Sequence, residues 1–333
     1  MKLQEIGEFG LIKVIKDLAD NGDGVMMGIG DDVAVLKSSS GKLLLVTTDI
    51  LLQEVHFRLE LTDPYHLGRK ALGVNISDIA SCGGTPRAFL TSLAVPPDKE
   101  VDFVQALYQG MMEMASECGV SLVGGDTSSG KELMLSITLL GEGEEGQIVY
   151  RHGAQTGDQI FVTGTLGDAA LGLEMLKKGK REGKPVQRHL SPTPRIKEGR
   201  EIAERRLATS MIDISDGLLA DLGHIIEASG MGGEIWLPKL PLSEGYREVI
   251  EEYNSDPYLL ALTGGEDYEL LFTSTPGKGE EVRKLAGDLG TPITPIGEIV
   301  EASRGIKVYG EDTKEYSIKE MGHNHFRRTP HRD

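Results

Sequence analysis

Aspartates in this chain recur at one kind of place, beside glycine or at the end of an apolar run. They are Asp31-Asp32 in GIGDDVAVL (Gly28–Leu36), Asp49 after Thr47-Thr48, Asp78 in NISDIA, Asp126 in VGGDT, Asp213 and Asp216 in IDISDG, and Glu266-Asp267 in GGED. Acids that merely solvate a surface fall on polar helix faces, whereas these fall where the chain leaves the core. Adjacent carboxylates about 4 Å apart repel by roughly 4 kcal/mol at an effective dielectric near 20. Such a pair requires a cation, a proton or open water. Carboxylate and Thr hydroxyl oxygens are hard donors that suit Mg2+ or Ca2+ rather than zinc. Because Mg2+ is usually shared between a few carboxylates and substrate phosphates, the pattern points to a metal-bridged nucleotide polyphosphate. One such Asp is ordinarily a turn or helix cap; repetition carries the signal.

The elements that must position these acids follow from local patterning. KLLLVTTDILL (Lys42–Leu52) reads as a strand with both faces covered. On it Thr47 and Asp49 share one face and Thr48 the other. Asp63 and Pro64 open a helix that Gly83-Gly84 can end, with Asn75 and Asp78 on one face of it. Gly68 and Gly73 each cost that helix about 1 kcal/mol, and close packing is one reason to keep them. A second helix spans the region from Asp98 to Cys118, stopped by Gly119, and SLVGGDTSSG and LMLSITLLGEG read as strands with turns. In MIDISDGLLADLGHIIEASG, Asp213, Ser215 and Asp216 occupy a turn into a helix N-terminus, where backbone N–H groups favour an anion. Within GIGDDVAVL, neighbouring side chains point to opposite faces, so Asp31 and Asp32 are expected to have different roles. KKGKREGKPVQR reads as a polar loop or helix end.

Strands and helices alternate in both halves, so the fold class is α/β (α+β), with a border around residues 145–155. The length of 333 residues suggests two domains: an N-terminal α/β domain over 1–150 and a C-terminal one over 151–333. The net charge of -17 argues against bulk nucleic-acid binding. It leaves room for a small phosphorylated ligand, since a divalent ion reverses the local field. Cys82 and Cys118 are the only cysteines, which fits a reduced, cytoplasmic setting. The N-terminus lacks the apolar core of a signal peptide; Leu3, Ile6, Ile12, Ile15 and Leu18 suit an amphipathic helix instead. No segment is long and apolar enough to span a membrane, so a soluble protein is expected.

Other nucleotide signatures do not fit. GEGEEG (Gly141–Gly146) matches G-x-G-x-x-G, but no helix follows and its glutamates repel pyrophosphate, so a hairpin turn is the better reading. There is no G-x-x-x-x-G-K-[ST], G-x-S-x-G or H-E-x-x-H.

GIGDDVAVL, TTDILLQEVHF, ALGVNISDIASCGGTP, LVGGDT, VTGTLGD, IDISDGLLADLGHI and LTGGEDYEL, in this order, closely resemble the thiamine-monophosphate kinase family. The resemblance runs from IGEFGLI to the C-terminal HNHF. It implies the two-domain fold of aminoimidazole ribonucleotide synthetase and selenophosphate synthetase, with N-terminal sheets pairing across a homodimer. It also implies transfer of phosphate from ATP to thiamine monophosphate with several Mg2+ ions. By the same resemblance Asp31, Thr47, Thr48, Asp49, Asp78, Asp126, Asp213 and Asp216 form the magnesium shell, with Asp49, Asp78 and Asp126 at the catalytic centre and Asp32 left to cap or hydrogen-bond locally. Tyr108, Gly125, Asp126, Arg151 and Ser215 contact ATP; His56, Glu266, His323 and Phe326 contact the substrate. The family's usual terminal G-[WY]-x-H-F is here Gly322-His323-Asn324-His325-Phe326. Two alternatives stay open. One is a sister ATP-dependent enzyme of the superfamily. The other is a non-catalytic divalent-cation and nucleotide-binding maturation factor, which nucleotide-dependent thermal stabilisation and turnover would separate from a kinase.

Overall fold

The structure is a computed structural model and describes residues 3–19, 22–38, 41–312 and 314–317. Two six-stranded sheets form in chain order. The first contains β1 (Val25–Met27), β2 (Ala34–Lys37), β3 (Lys42–Leu52), β4 (Thr85–Val95), β5 (Ser121–Ser129) and β6 (Met134–Glu144). Its spatial order is β1-β2-β3-β6-β4-β5. The second contains β7 (Gln159–Thr163), β8 (Ser210–Asp213), β9 (Gly232–Trp236), β10 (Leu270–Ser274), β11 (Ile293–Val300) and β12 (Ile306–Tyr309), in the order β12-β9-β11-β7-β10-β8. Among these strands of the described residues, β4–β5 and β9–β12 pair in parallel and the other pairs are antiparallel.

Helix α1 (Leu3–Leu18) precedes the first sheet, and α2 (Pro64–Ser81) and α3 (Val101–Cys118) cover one of its faces. Burial therefore alternates along β3, leaving Thr48 and Ile50 exposed. The expectation that both faces of β3 are covered is corrected for the described residues, which supply helices to one face and leave Thr48 and Ile50 exposed on the other. On α1 the side chains of Ile12, Ile15 and Leu18 are exposed, so the amphipathic stripe is not buried against the rest of the chain.

In the second half α4 (Asp168–Lys177), α5 (Lys184–Leu190), α6 (Ile196–Glu204) and α7 (Leu218–Ser229) follow. Clusters containing Leu222 and Ile225 on one side and Ile202 and Phe272 on the other bury every residue of β10. The GEGEEG reading is corrected in part: Gly141 to Glu144 continue β6 opposite β3 and only Glu145 and Gly146 turn. The strand glycines sit where side chains do not fit, since one at Gly141 would meet Ile79 at 3.0 Å and one at Gly143 would meet Ile148 at 2.2 Å.

Helix α2 is the centre of the design. The Asp63 carboxylate accepts from the His66 N–H at 2.9 Å and Pro64 occupies the first turn, the arrangement its sequence anticipates. Leu67, Leu72, Ile76 and Ile79 pack into the first core. The opposite side of α2 abuts the second half, where a side chain at Gly199 would sit 2.0 Å from the Ala80 carbonyl oxygen. Gly68 and Gly110 let α2 and α3 cross with backbones touching: a Cβ at Gly68 would lie 1.9 Å from the Leu107 carbonyl oxygen, and one at Gly110 1.9 Å from that of Tyr65. Helix propensity alone would make Gly68→Ala stabilising by about 1 kcal/mol. The crossing reverses the sign, and a net loss of about 1–3 kcal/mol is expected in urea or thermal melts.

Candidate active site

The C-terminal half of α2 faces two elements at once. Towards β3, the buried Thr47 hydroxyl donates to the Asp78 carboxylate. The Asp49 N–H donates to Asn75 Oδ1 at 3.1 Å, while the Asn75 amide donates to the Ala71 carbonyl at 3.0 Å. Towards β8, the buried Ser77 hydroxyl donates to Asp213 at 2.6 Å. The Ser81 hydroxyl, one turn further, donates to Asp32 at 2.6 Å. Carboxylate oxygens of Asp32, Asp78 and Asp213 consequently lie within 4.8 Å of one another. Acids from the first loop, α2 and the second sheet thus converge on one point.

Arg151 anchors this cluster. Its Nε donates to Asp32 Oδ1 at 3.0 Å, a second guanidinium nitrogen reaches the same oxygen, and its backbone N–H donates to Asp31 Oδ2 at 3.1 Å. The expected division of labour between the paired acids is therefore corrected. Asp32 points into the cluster, and Asp31 is the one engaged locally, accepting the Asp32 N–H at 3.0 Å. The approach of Ser81 and Arg151 to Asp32 sets this order, and no residue pattern distinguishes the two.

Burial dominates the electrostatics. It pushes Asp49 up to about 6, with Asp32 adding to the effect, and Asp31 likewise to about 6. Asp213 is pushed up to about 8 by burial and then by Asp32, and Asp78 well above the carboxylate range by burial and by Asp49 and Asp213. These groups bind protons more tightly folded than unfolded, so the folded state takes up protons between about pH 4 and 8 and loses stability as pH rises through that window. Without divalent metal, the melting temperature is expected to rise when pH is lowered from 8 to 6. Added Mg2+ should raise it more at pH 8 than at pH 6, because metal and protons compete for the same oxygens. Differential scanning fluorimetry in chelator and in Mg2+ reads both effects.

The remaining anticipated residues divide. Thr48 points to the opposite sheet face, where its hydroxyl donates to the Ile137 carbonyl at 3.0 Å. Asp126 lies on β5, three strands from β3, a separation of about 14 Å at 4.8 Å per strand. Its carboxylate accepts the Thr127 N–H at 2.9 Å. Thr48 by its hydroxyl and Asp126 are thus not brought to the acid cluster within this chain. Gly125 has a packing reason of its own, since a Cβ there would meet the Thr91 carbonyl oxygen at 2.1 Å. Tyr108 is half-buried on α3 against the first core. His56 follows β3 in a turn, its Nδ1 accepting the Leu52 N–H at 3.0 Å. The anion-favouring turn at Ser215 is already filled: the N–H groups of Ser215, Asp216 and Gly217 donate to Asp221 Oδ2 at 3.1, 3.2 and 3.0 Å. Asp216, Asp221 and His224 form a neighbouring group with ligand atoms within 4.8 Å. His323 and Phe326 lie outside the described residues.

GGED carries two roles. Asp267 accepts the N–H groups of Gly167 and Ala169 at 2.7 and 3.2 Å and so caps α4. Glu266 faces Lys70 of α2 and His189 of α5, at 2.7 and 3.1 Å. In KKGKREGKPVQR, Lys177 ends α4 and a loop follows to Gly183, as the reading of a polar loop or helix end has it, but Lys184–Arg188 open α5, and Arg188 pairs with the fully buried Glu269. Lys70, Arg188, His189 and Arg195 were not singled out from sequence; no spacing links them, because their partners lie far along the chain.

The sequence profile of the AIR synthase related protein N-terminal domain matches residues 30–142, and that of the C-terminal domain residues 155–310. Thiamine-monophosphate kinase of Aquifex aeolicus is 40% identical over 331 residues, covering 98% of this chain and 100% of that protein. The Bacillus subtilis thiamine-monophosphate kinase is 35% identical, covering 96% and 99%. A solved structure of AaThiL complexed with AMPPCP and TMP superposes with a TM-score of 0.85 at 39% identity, covering 98% of this chain and 99% of that one. The hydrogenase maturation protein HypE of E. coli shares the fold alone, at 21% identity and a TM-score of 0.68. Among the described residues no helix is long and apolar enough to cross a membrane.

Proposed function

The chain belongs to the thiamine-monophosphate kinase family, built on the AIR synthase related fold, and from that premise we propose that it transfers the γ-phosphoryl group of ATP to thiamine monophosphate, giving thiamine diphosphate and ADP. The observation that carries the reading is the convergence of Asp32, Asp78 and Asp213 within 4.8 Å, beside Asp49 and Arg151. The hard oxygens of Asp32, Asp49, Asp78 and Asp213, and the raised proton affinities of the last three, fit Mg2+, and these four acids would hold it. When bound, such ions neutralise charge on the transferring phosphates.

The chain's own residues do the rest. Thr47, Ser77 and Ser81 aim the carboxylates from fixed hydroxyls, and Asn75 fixes the backbone at Asp49. Arg151 holds the Asp32 carboxylate in place. An oxygen of the acceptor phosphate attacks the γ-phosphorus in line; the new P–O bond forms as the bond to the β-phosphate bridging oxygen breaks, and ADP departs. A phosphate monoester with a second pKa of about 6 is already anionic, so no strong general base is needed and no phospho-enzyme forms. Thr48, Asp126, Tyr108, Gly125 and Ser215 are proposed to act in nucleotide or metal binding, and His56 and Glu266 in holding the acceptor. Pairing of first sheets in a homodimer is proposed too. The exposed Ile50, Leu90 and Val123 on that sheet support it, and light scattering should return a dimer mass.

The test is incubation with MgATP and thiamine monophosphate. Equimolar thiamine diphosphate and ADP, absent without Mg2+, is the expected result. ATP binding without product would favour a sister enzyme, and no ATP binding a maturation factor.

A further inference from the structure

Glu266 is held more firmly than contact with an acceptor alone requires. Its backbone has φ 69°, a left-handed conformation that a non-glycine residue keeps only where its surroundings impose it. The Glu266 N–H donates to the Ser215 carbonyl at 2.8 Å, which ties the loop to the turn after β8. At the side chain, Lys70 Nζ lies 2.7 Å from Oε1 and His189 Nδ1 lies 3.1 Å from Oε2. Lys70 is only 6% exposed and His189 8%, so both approach from the protein side. The Glu266 side chain keeps 29% exposure. His189 Nδ1 lies close to Oε2 without completing a hydrogen bond, and a carboxylate offers about four acceptor positions, so with Lys70 paired it still has capacity for a ligand on its open side.

Lys70 also sits on the helix that carries Asp78. The two are eight residues apart in α2, about 12 Å of rise at 1.5 Å per residue. One rigid element therefore spaces the Glu266 carboxylate from the acid cluster. We propose that Lys70, backed by His189, is a positioning residue for the phosphate acceptor: it fixes the Glu266 carboxylate, and with it the ring end of the acceptor, at a set distance from the acids where phosphoryl transfer occurs. This rests on the functional reading above. The ring end of thiamine monophosphate carries an exocyclic amine and a cationic ring, both attracted by an ionised carboxylate. Without Lys70 the carboxylate would lose the charged partner that fixes its orientation.

Steady-state kinetics of the full chain test this. Lys70→Met is expected to raise KM for thiamine monophosphate by about 10- to 100-fold, leaving KM for ATP within about 2-fold. Lys70→Arg should restore most of the loss. With Glu266→Gln already present, Lys70→Met should add little, since it acts through that carboxylate. If Lys70→Met does not fold, Lys70→Gln, which keeps a donor for Oε1, carries the same test. Equal changes in both KM values, or additive effects with Glu266→Gln, would overturn the proposal while leaving the kinase reading intact. A wild-type chain that forms no thiamine diphosphate would overturn the kinase reading itself, and the positioning role with it.

Discussion

Asp78→Asn is expected to lower kcat by on the order of 10³-fold or more, about 4 kcal/mol of transition-state stabilisation, without lowering the melting temperature of the metal-free protein. The two halves of this expectation come from the same fact. Asp78 is flanked by Asp49, Asp213 and Asp32, and burial among them drives its proton affinity far above that of a free carboxyl. In the absence of a cation the folded protein stabilises the neutral form, and Asn reproduces that form in size and charge. The Thr47 hydroxyl can still donate to the amide oxygen. The apo fold therefore loses little and gains relief from repulsion among the acids. What Asn cannot supply is the anionic oxygen that a hard cation and a triphosphate require. Circular dichroism and calorimetry in chelator, set beside turnover at saturating Mg2+, separate the two halves. Near-normal turnover would remove Asp78 from the centre. A collapsed fold would mean that its role is architectural.

Much of this centre is legible before any coordinates. Asp63-Pro64 announces the start of α2, and the Asn75–Asp78 spacing places two site residues on one helix face, because both signals are local and need only helix geometry. Thr47 and Asp49 follow from strand alternation. Gly68 could be suspected of close packing from its cost to a helix, although its partner, the α3 backbone at Leu107, is invisible in sequence. What resists reading is whatever depends on where distant segments meet. Asp31 and Asp32 are chemically identical neighbours, and only the approach of Arg151 and Ser81 decides which enters the cluster. Asp221 looks like any helical acid, yet it folds back to fill the turn that its own helix creates. Lys70 and His189 meet Glu266 across long stretches of chain, and a lysine inside a glycine-bearing helix carries no mark of burial. The resemblance to a family supplies roles for residues such as Asp126, which this single chain leaves on an edge strand.

The largest effect on stability is expected from Glu269→Leu, a loss of about 3–5 kcal/mol in denaturant titrations. Glu269 is fully buried on the approach to β10. Its oxygens accept from Arg195 Nε and Nη2 at 2.6 Å each, from the Thr163 hydroxyl at 2.7 Å, and from Arg188. Gly164, at φ 57°, makes the room, since a Cβ there would press to 2.1 Å from Glu269 Oε1. Burial alone would raise the carboxyl's proton affinity, but the arginines outweigh it and hold Glu269 below its ordinary range. A lowered folded pKa contributes stability above the unfolded value, about 4.5, that is lost only as pH falls through the folded one. The gap between wild type and variant should thus be full at pH 7 and narrow in strong acid. Leucine leaves two guanidinium groups, with side chains only 24% and 15% exposed, facing an apolar surface. The desolvation already incurred by those cations, more than the lost bonds, makes the substitution severe. Replacing Arg195 by Met in the same chain should recover part of the loss, because it removes one stranded charge. If Glu269→Leu cost under about 1 kcal/mol, both arginines would have to reach water by simple rotation, and the cluster would not be the pin that joins α5 and α6 to the second sheet.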